Sequence, residues 1–454
     1  MKNIQINSKM IGNGDIFIAI TCPNLQENIN EAFQNGASIV FSDSSKDSRV
    51  IKIADARLLA SKLAKFVYNK QPEICVSITG TNGKSSIAHF LSQIWQNSGK
   101  NTANLGTLGL FINGIKSDLE NILIPNLTTP DSITLHRVMD SLANHNITHF
   151  VFEASSHALE QKRLHSVELA AAAFSNFASD HLDYHKTRES YLSSKLRLFK
   201  EILKNDKTAI VSKDYEMLFS EVSKLNKNII SFGLDEGNFI KAENIREFSD
   251  HIIFDLSFGE KEFKNLDVKL FGRFQIMNVL CASALAYACD LSPQKIIETF
   301  SKLATLNGRM EHIRSINKGD VYIDYAHTSE AFKNALKCFK RVCKGRLICV
   351  FGCGGNRDKS KRGELGKIAN NLADIIIITD DNPRFESPED IRSEIILNCP
   401  KALNISDRKD AIYKAISLIK PDDFVVVIGK GHEDYQIYGN EIKHFSDKET
   451  ILKF

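Results

Sequence analysis

The chain has 454 residues, room for about three domains of ordinary size, and its 43% hydrophobic and 25% charged residues are those of a globular protein in water. Lys and Arg number 58 against 55 Asp and Glu, leaving a net charge of +3; that excludes the broad basic field of a nucleic-acid binder but leaves local anion sites open. No apolar run approaches the ~18 residues of a membrane span, and Met1-Lys2-Asn3-Ile4-Gln5 is not a signal peptide, so membrane insertion is not expected.

Taken in chain order, the first 70 residues are short and β-flavoured, with a turn at Gly12-Asn13-Gly14-Asp15, and end in a helical stretch from Ala56 to Tyr68. Gln71-Pro72 reads as a linker. A second block opens with an apolar strand from Ile74 to Thr79 and continues through strands at His149 to Ala154, Ala171 to Phe177 and Thr208 to Ser212. A break at Leu306-Asn307-Gly308-Arg309 precedes a third block, with strands at Val321 to Tyr325, Arg346 to Gly352, Asp374 to Thr379 and Phe424 to Gly429. Between them lies a helix from Glu330 to Val342, with Phe332, Ala335, Leu336 and Phe339 on one face. This alternation predicts α/β layers, divided as 1–70, 71–306 and 307–454. The cysteines number 9, an odd count, and none forms a CxxC pair. Cys338, Cys343, Cys349 and Cys353 cluster loosely; buried thiols in a reducing cytoplasm are expected there rather than zinc.

The most informative stretch is Gly80-Thr81-Asn82-Gly83-Lys84-Ser85-Ser86, which follows the strand and opens a helix with Ile87, Phe90, Leu91, Ile94 and Trp95 on one face. Glycines let backbone N–H groups approach phosphate oxygens, and a helix N-terminus adds partial positive charge. Lys84 is the type of residue that bridges β- and γ-phosphates, and Ser85 the type that ligates Mg2+. Only Thr81 and Asn82 separate the two glycines. This shortened loop resembles that of the Mur ligase family, Gly-Thr-x-Gly-Lys-Thr/Ser, and implies binding of ATP.

Further segments carry the same resemblance. Glu153-Ala154-Ser155-Ser156-His157, followed by Gln161 and Arg163, resembles the family's Glu-x-Ser-Ser-His motif, which implies that Glu153 and Ser85 share Mg2+. Asp180-His181-Leu182-Asp183-Tyr184-His185 and Tyr191-Leu192-Ser193-Ser194-Lys195 follow. Read alone, these are a surface histidine pair or metal ligands, and a solvated lysine. The resemblance implies that His181 lies near a second Mg2+ and that Lys195 is carbamylated, its carbamate oxygen becoming a metal ligand. Gly272-Arg273-Phe274-Gln275-Ile276-Met277-Asn278 resembles the element near adenine. Arg309 and Asp324 are a salt-bridged hinge on a plain reading; the resemblance assigns Arg309 to the γ-phosphate across the interdomain cleft and Asp324 to the nucleotide.

Three polar loops end strands of the third block, where an open α/β sheet binds its ligand. They contain Gly352-Cys353-Gly354-Gly355-Asn356-Arg357, Asp381-Asn382-Pro383-Arg384 and Gly429-Lys430-Gly431-His432-Glu433. The first lacks the third glycine of a dinucleotide fingerprint. Arg357 and Arg384 can fork to a carboxylate and Glu433 can hold an ammonium, so the charges suit a zwitterion. In the Mur ligase family Asp-Asn-Pro-Arg marks the member that adds meso-2,6-diaminopimelate, whose distal carboxylate lysine lacks; the resemblance thus assigns Arg357, Asn382, Arg384, Gly429 and Glu433 to that amino acid. The other implied substrate is UDP-N-acetylmuramoyl-L-alanyl-D-glutamate, met by Ser8, Thr128, Thr129, Ser155, Gln161 and Arg163. The catalytic set would be Lys84, Glu153, His181, Lys195 and Arg309.

The resemblance covers essentially the whole chain. It implies a small N-terminal α/β domain for the uridine diphosphate, a central P-loop ATPase-like domain with a mainly parallel sheet, and a Rossmann-like C-terminal domain, in a monomeric cytoplasmic ligase. Departures concentrate at the N-terminus. There the family's Asp-Ser-Arg is Asn7-Ser8-Lys9, and a glycine- and acid-rich stretch is shortened to Thr21-Cys22-Pro23-Asn24. Elsewhere Leu127, Asn356, Gly363 and Ser329 replace family residues without removing a group the chemistry requires. Ligases of the same family with other amino-acid substrates, or a regulatory protein that binds nucleotide without ligase activity, are the alternatives.

Overall fold

A computed structural model of the chain describes residues 3–120, 122–125, 127–178, 182–225 and 227–454, apart from the side chains of Leu182 and Asp183. The chain forms two compact units. One comprises Met1–Glu243, Asp255–Lys264 and Met277–Lys302; the other comprises Asn244–Phe254, Asn265–Ile276 and Leu303–Phe454.

Within the first unit, the N-terminal segment builds its own parallel sheet from Ile4–Gln5, Ile16–Ala19, Ile39–Ser42 and Ile51–Lys52, paired in chain order. Parallel neighbours need crossovers, and one is the helix Leu25–Gln34, which buries Ile29 and Ala32 against the sheet. That helix departs from the β-flavoured expectation: its amide- and acid-rich sequence carries only a narrow apolar stripe. The helix Ala56–Val67 starts where the Asp55 carboxylate accepts the Leu58 N–H, a capping contact typically worth ~1 kcal/mol.

The larger sheet of this unit places six parallel strands side by side: Thr102–Gly106, His149–Glu153, Ile74–Thr79, Ala171–Phe174, Thr208–Val211 and Asn228–Gly233. Ile74–Thr79 comes first in the chain yet lies between later strands on both sides, so the winding reverses at its edge. Such a reversal point, beyond the carboxyl ends of the strands, is where open α/β sheets bind ligands. Ile74–Thr79, His149–Glu153, Ala171–Phe174 and Thr208–Val211 are buried almost throughout on both faces, which is why they read as apolar runs.

The second unit has a sheet ordered Glu311–Ile316, Gly319–Asp324, Phe424–Ile428, Leu347–Phe351, Ile375–Ile378 and Leu403–Asn404. All its pairs are parallel except the first. The helix Ser329–Val342 buries Phe332, Ala335, Leu336 and Phe339, the face predicted from the sequence. A polar hairpin, Tyr435–Tyr438 with Glu441–His444, had no counterpart in the sequence reading. Most strands stop one to three residues short of their predicted ends, because the last residues turn away to form the site loops. Among the described residues no helix is long and apolar enough to cross a membrane.

Candidate active site

The first cluster gathers at the reversal point of the larger parallel sheet. Gly80 and Gly83 shape the loop. A Cβ on Gly80 would lie 1.9 Å from Ser175 Oγ, and one on Gly83, whose φ is 83°, would lie 2.5 Å from Asn278 Oδ1. Any side chain there would push the loop off its supports. The polar residues after strand Ala171–Phe174 hold the loop from outside: Ser175 Oγ and Asn176 Nδ2 donate to the Asn82 carbonyl, and the Asn82 N–H donates to Asn176 Oδ1. Thr81 Oγ1 donates to the Ala178 carbonyl and accepts the Ala178 N–H. Helix Lys84–Asn97 then begins without a side-chain cap, leaving N–H groups at a half-buried, left-handed Gly83 terminus suited to an anion. Lys84 Nζ lies against the carbonyls of Gly80 and Thr81, at 2.9 and 3.0 Å. Ser86 is half-buried in the first helical turn.

Glu153 ends the neighbouring strand, in register with Ile78. Its carboxylate is buried and accepts only neutral donors: Ser85 Oγ at 2.7 Å and the Thr107 N–H at 3.0 Å on one oxygen, Thr107 Oγ1 at 3.4 Å on the other. Among the described residues it makes no ion pair. A buried carboxylate beside hydroxyl oxygens, with no cation of its own, suits a hard divalent ion such as Mg2+, so the residues fit that metal. No group of three or more His, Cys, Asp or Glu side chains that could hold a metal ion occurs among the described residues. Lys195 is also buried, its ammonium 2.7 Å from the Gly80 carbonyl and over the Tyr191 ring at 4.5 Å. His181 lies outside the described residues.

Four of the residues assigned to the muramyl substrate form one network. Thr129 Oγ1 donates to the Glu153 carbonyl and accepts the Ser155 N–H. Arg163 donates to the Thr129 carbonyl at 2.6 Å and to Gln161 Oε1 at 2.8 Å. Thr128 joins through Thr107, the two hydroxyls 3.0 Å apart. Ser8 does not join them: its buried hydroxyl donates to Glu31. Thr107 and Asn176 were missed as site residues, although each follows a strand's carboxyl end, the available signal.

The second cluster occupies a cavity of ≈ 390 Å³ in the other unit, lined by Arg357, Asn382, Arg384, Gly429 and Glu433 from the three predicted loops. Arg384 adopts a φ of 54°, a left-handed conformation costing roughly 1–3 kcal/mol. The polar hairpin imposes it: Arg384 N–H donates to the Ile437 carbonyl, and its own carbonyl accepts the Gly439 N–H. The guanidinium then donates to the Gly355 carbonyl at 2.9 Å. Arg357 is exposed on the rim. Cys353, also in the wall, is pushed up to about 12 by burial and is a thiol, not a nucleophile. Beneath the floor, Arg408 and Asp447 form a fully buried two-bond ion pair. In the same unit, Arg309 stacks over Tyr325 at 4.8 Å. The Asp324 carboxylate accepts the N–H groups of Met310 and Ala326, and burial raises its pKa.

Comparison with known proteins agrees with this architecture. The Mur ligase middle domain matches residues 78–286, and the Mur ligase, glutamate ligase domain matches residues 308–431. The UDP-N-acetylmuramoyl-L-alanyl-D-glutamate–2,6-diaminopimelate ligase of Rhizobium meliloti (strain 1021) is 37% identical, with 99% of this chain and 93% of that protein covered. The enzyme of the same name from Brucella melitensis biotype 1 is 41% identical, covering 88% and 82%. A solved structure of a UDP-N-acetylmuramoyl-L-alanyl-D-glutamate–2,6-diaminopimelate ligase superposes with a TM-score of 0.75 at 28% identity, over 100% of this chain and 94% of the other. MurF ligase from Thermotoga maritima in complex with ADP shares the fold, with a TM-score of 0.63 at 18% identity over 100% and 96%. This chain belongs to the Mur ligase family.

Proposed function

We propose that this chain is the ATP-dependent ligase that joins 2,6-diaminopimelate to UDP-N-acetylmuramoyl-L-alanyl-D-glutamate, a step of peptidoglycan precursor synthesis. The observation that carries the reading is the presence of Arg384 and Glu433 in one cavity: a fixed guanidinium for a carboxylate and a carboxylate for an ammonium, on a chain aligned over nearly its whole length with relatives of that name. The meso stereoisomer is the intended substrate. The division of labour is uridine diphosphate at residues 1–70, nucleotide chemistry at 71–306 and amino-acid capture at 307–454, in a monomer acting in the cytoplasm.

In this reading the D-glutamate carboxylate attacks the γ-phosphorus of ATP, the bond to ADP breaks, and an acyl phosphate forms. The amine of diaminopimelate attacks the acyl carbon, loses its proton, and phosphate leaves. The uncapped helix N-terminus and Lys84 hold the phosphate chain, with phosphate oxygens replacing the carbonyls of Gly80 and Thr81 as acceptors for the ammonium. Asn278, beside Gly83, and Asp324 are assigned to the nucleotide, and Arg309 to the γ-phosphate. Ser85 and Glu153, with His181 and Lys195 as its carbamate, would hold Mg2+. When bound, that ion supplies charge neutralisation at the transferring phosphoryl group. Thr128, Thr129, Ser155, Gln161 and Arg163 orient the muramyl dipeptide. The test is phosphate release from ATP with each substrate omitted in turn: release is expected only with both present, and release without either contradicts the reading.

A further inference from the structure

Lys430 lies behind the amino-acid cavity, not in it. Its side chain is 0% exposed, so it cannot touch a ligand, and yet it carries a charge. The ammonium donates to Asn382 Oδ1 at 3.3 Å and to Glu433 Oε2 at 3.1 Å. Asn382 closes the triangle, its Nδ2 donating to the same Glu433 Oε2 at 3.0 Å. Asn382 Oδ1 also accepts the Ile437 N–H at 3.1 Å, from the hairpin that holds Arg384. Two donors therefore occupy Oε2, while among the described residues no hydrogen bond reaches Oε1. The Glu433 N–H, bonded back to the Lys430 carbonyl, fixes the intervening turn.

We propose that Lys430 is a positioning residue for the amino-acid substrate: by holding Asn382 in one amide orientation and occupying Glu433 Oε2, it leaves Oε1 as the oxygen presented to the ammonium of the incoming amino acid. The inference rests on the proposed diaminopimelate ligase activity and adds to it a residue that acts only through two others. A lysine suits the task because three donors on one nitrogen can serve both acceptors at once. A hydrocarbon in its place would leave the Asn382 amide oxygen held by the Ile437 N–H alone and Glu433 Oε2 held by the Asn382 amide alone. A separate buried ion pair, Arg408–Asp447, lies beneath the same strand ends.

The experiment measures phosphate release with each of the three substrates varied separately. Lys430→Met should raise KM for meso-diaminopimelate about tenfold or more, the consequence of an unsatisfied or misdirected buried polar pair. KM for ATP, KM for the muramyl dipeptide and kcat at saturation should stay within about threefold. Lys430→Arg should recover part of the loss. The double variant Lys430→Met/Glu433→Gln should be no worse than Glu433→Gln alone, since Lys430 acts through Glu433. If Lys430→Met does not fold, Lys430→Gln, which keeps N–H donors, is read by the same pattern against Glu433→Gln. An unchanged KM for diaminopimelate, a parallel rise in all three KM values, or additivity in the double variant overturns the proposal. Wild-type enzyme that releases no diaminopimelate-dependent phosphate overturns the functional reading and this inference with it, a failure recognisable before any variant is made.

Discussion

Lys84 and Lys195 bring their ammonium groups to one atom, the Gly80 carbonyl oxygen, at 2.9 and 2.7 Å. One lysine comes from the helix that opens the phosphate loop and the other from the helix Arg188–Arg197, more than a hundred residues later. Two like charges on a single acceptor, one of them buried, repel. Converting the Lys195 amine to a carbamate would remove that repulsion, keep one N–H for Gly80, and place an anionic oxygen beside the proposed phosphate and metal site.

Lys195→Ala therefore loses activity by about a hundredfold or more if its carbamate helps hold the metal charge. Short-chain carboxylates restore part of it in a rescue assay, and bicarbonate does not, because no amine remains to be carbamylated. Full activity in the unrescued variant would contradict the assignment.

Glu153→Gln keeps the shape of the side chain and removes its charge. Ser85 and Thr107 can still donate to the amide oxygen, so thermal stability changes little, within about 1 kcal/mol of unfolding free energy. Phosphoryl transfer falls by about a hundredfold or more, and the Mg2+ concentration for half-maximal rate rises. A titration of rate against Mg2+ reads both effects.

The loop around this pair was legible in the sequence because its chemistry is local: Gly80, Gly83, Lys84 and Ser85 lie within six residues, and glycine at a left-handed or crowded position has no substitute. Thr107 and Lys430 were not legible. A threonine after a strand and a lysine between two glycines look like solvated loop residues until the sheet brings Glu153 and Glu433 against them. The helix Leu25–Gln34 was missed because it buries only two side chains, and the hairpin at Tyr435–His444 because its second strand is wholly exposed and neither strand is an apolar run. Strand order cannot be read from one chain's periodicity, yet it is what sets the loop after Ile74–Thr79 between those after His149–Glu153 and Ala171–Phe174.

Arg384→Ala should raise KM for meso-diaminopimelate by about tenfold or more, with KM for ATP within about twofold, because the proposed charge-assisted contact is lost only for the amino acid. Steady-state kinetics with each substrate varied separately makes the distinction. Equal changes in both values would place Arg384 in the architecture instead of the recognition site.

Acid stability follows from three histidines of the first unit. Burial pushes His89, His136 and His149 down to about 4, while in an unfolded chain each titrates near ~6.5. The unfolded chain therefore binds protons that the folded one refuses. Their contribution to stability is complete above about pH 6.5 and is lost as pH falls toward about 4. Thermal unfolding between pH 7 and pH 5 should show a falling Tm, with a shallower fall in His136→Asn and His149→Asn. A Tm independent of pH across that range would contradict the neutral buried state.

The identity of the amino acid added separates this enzyme from the other ligases of its family. Mass spectrometry of the uridine-linked product, after incubation with ATP, Mg2+, the muramyl dipeptide and equimolar meso-diaminopimelate and L-lysine, tests it most directly. The expected product is heavier by one diaminopimelate less one water, with the lysine adduct absent or minor. A product carrying lysine in comparable amount, or an unmodified dipeptide, would contradict it.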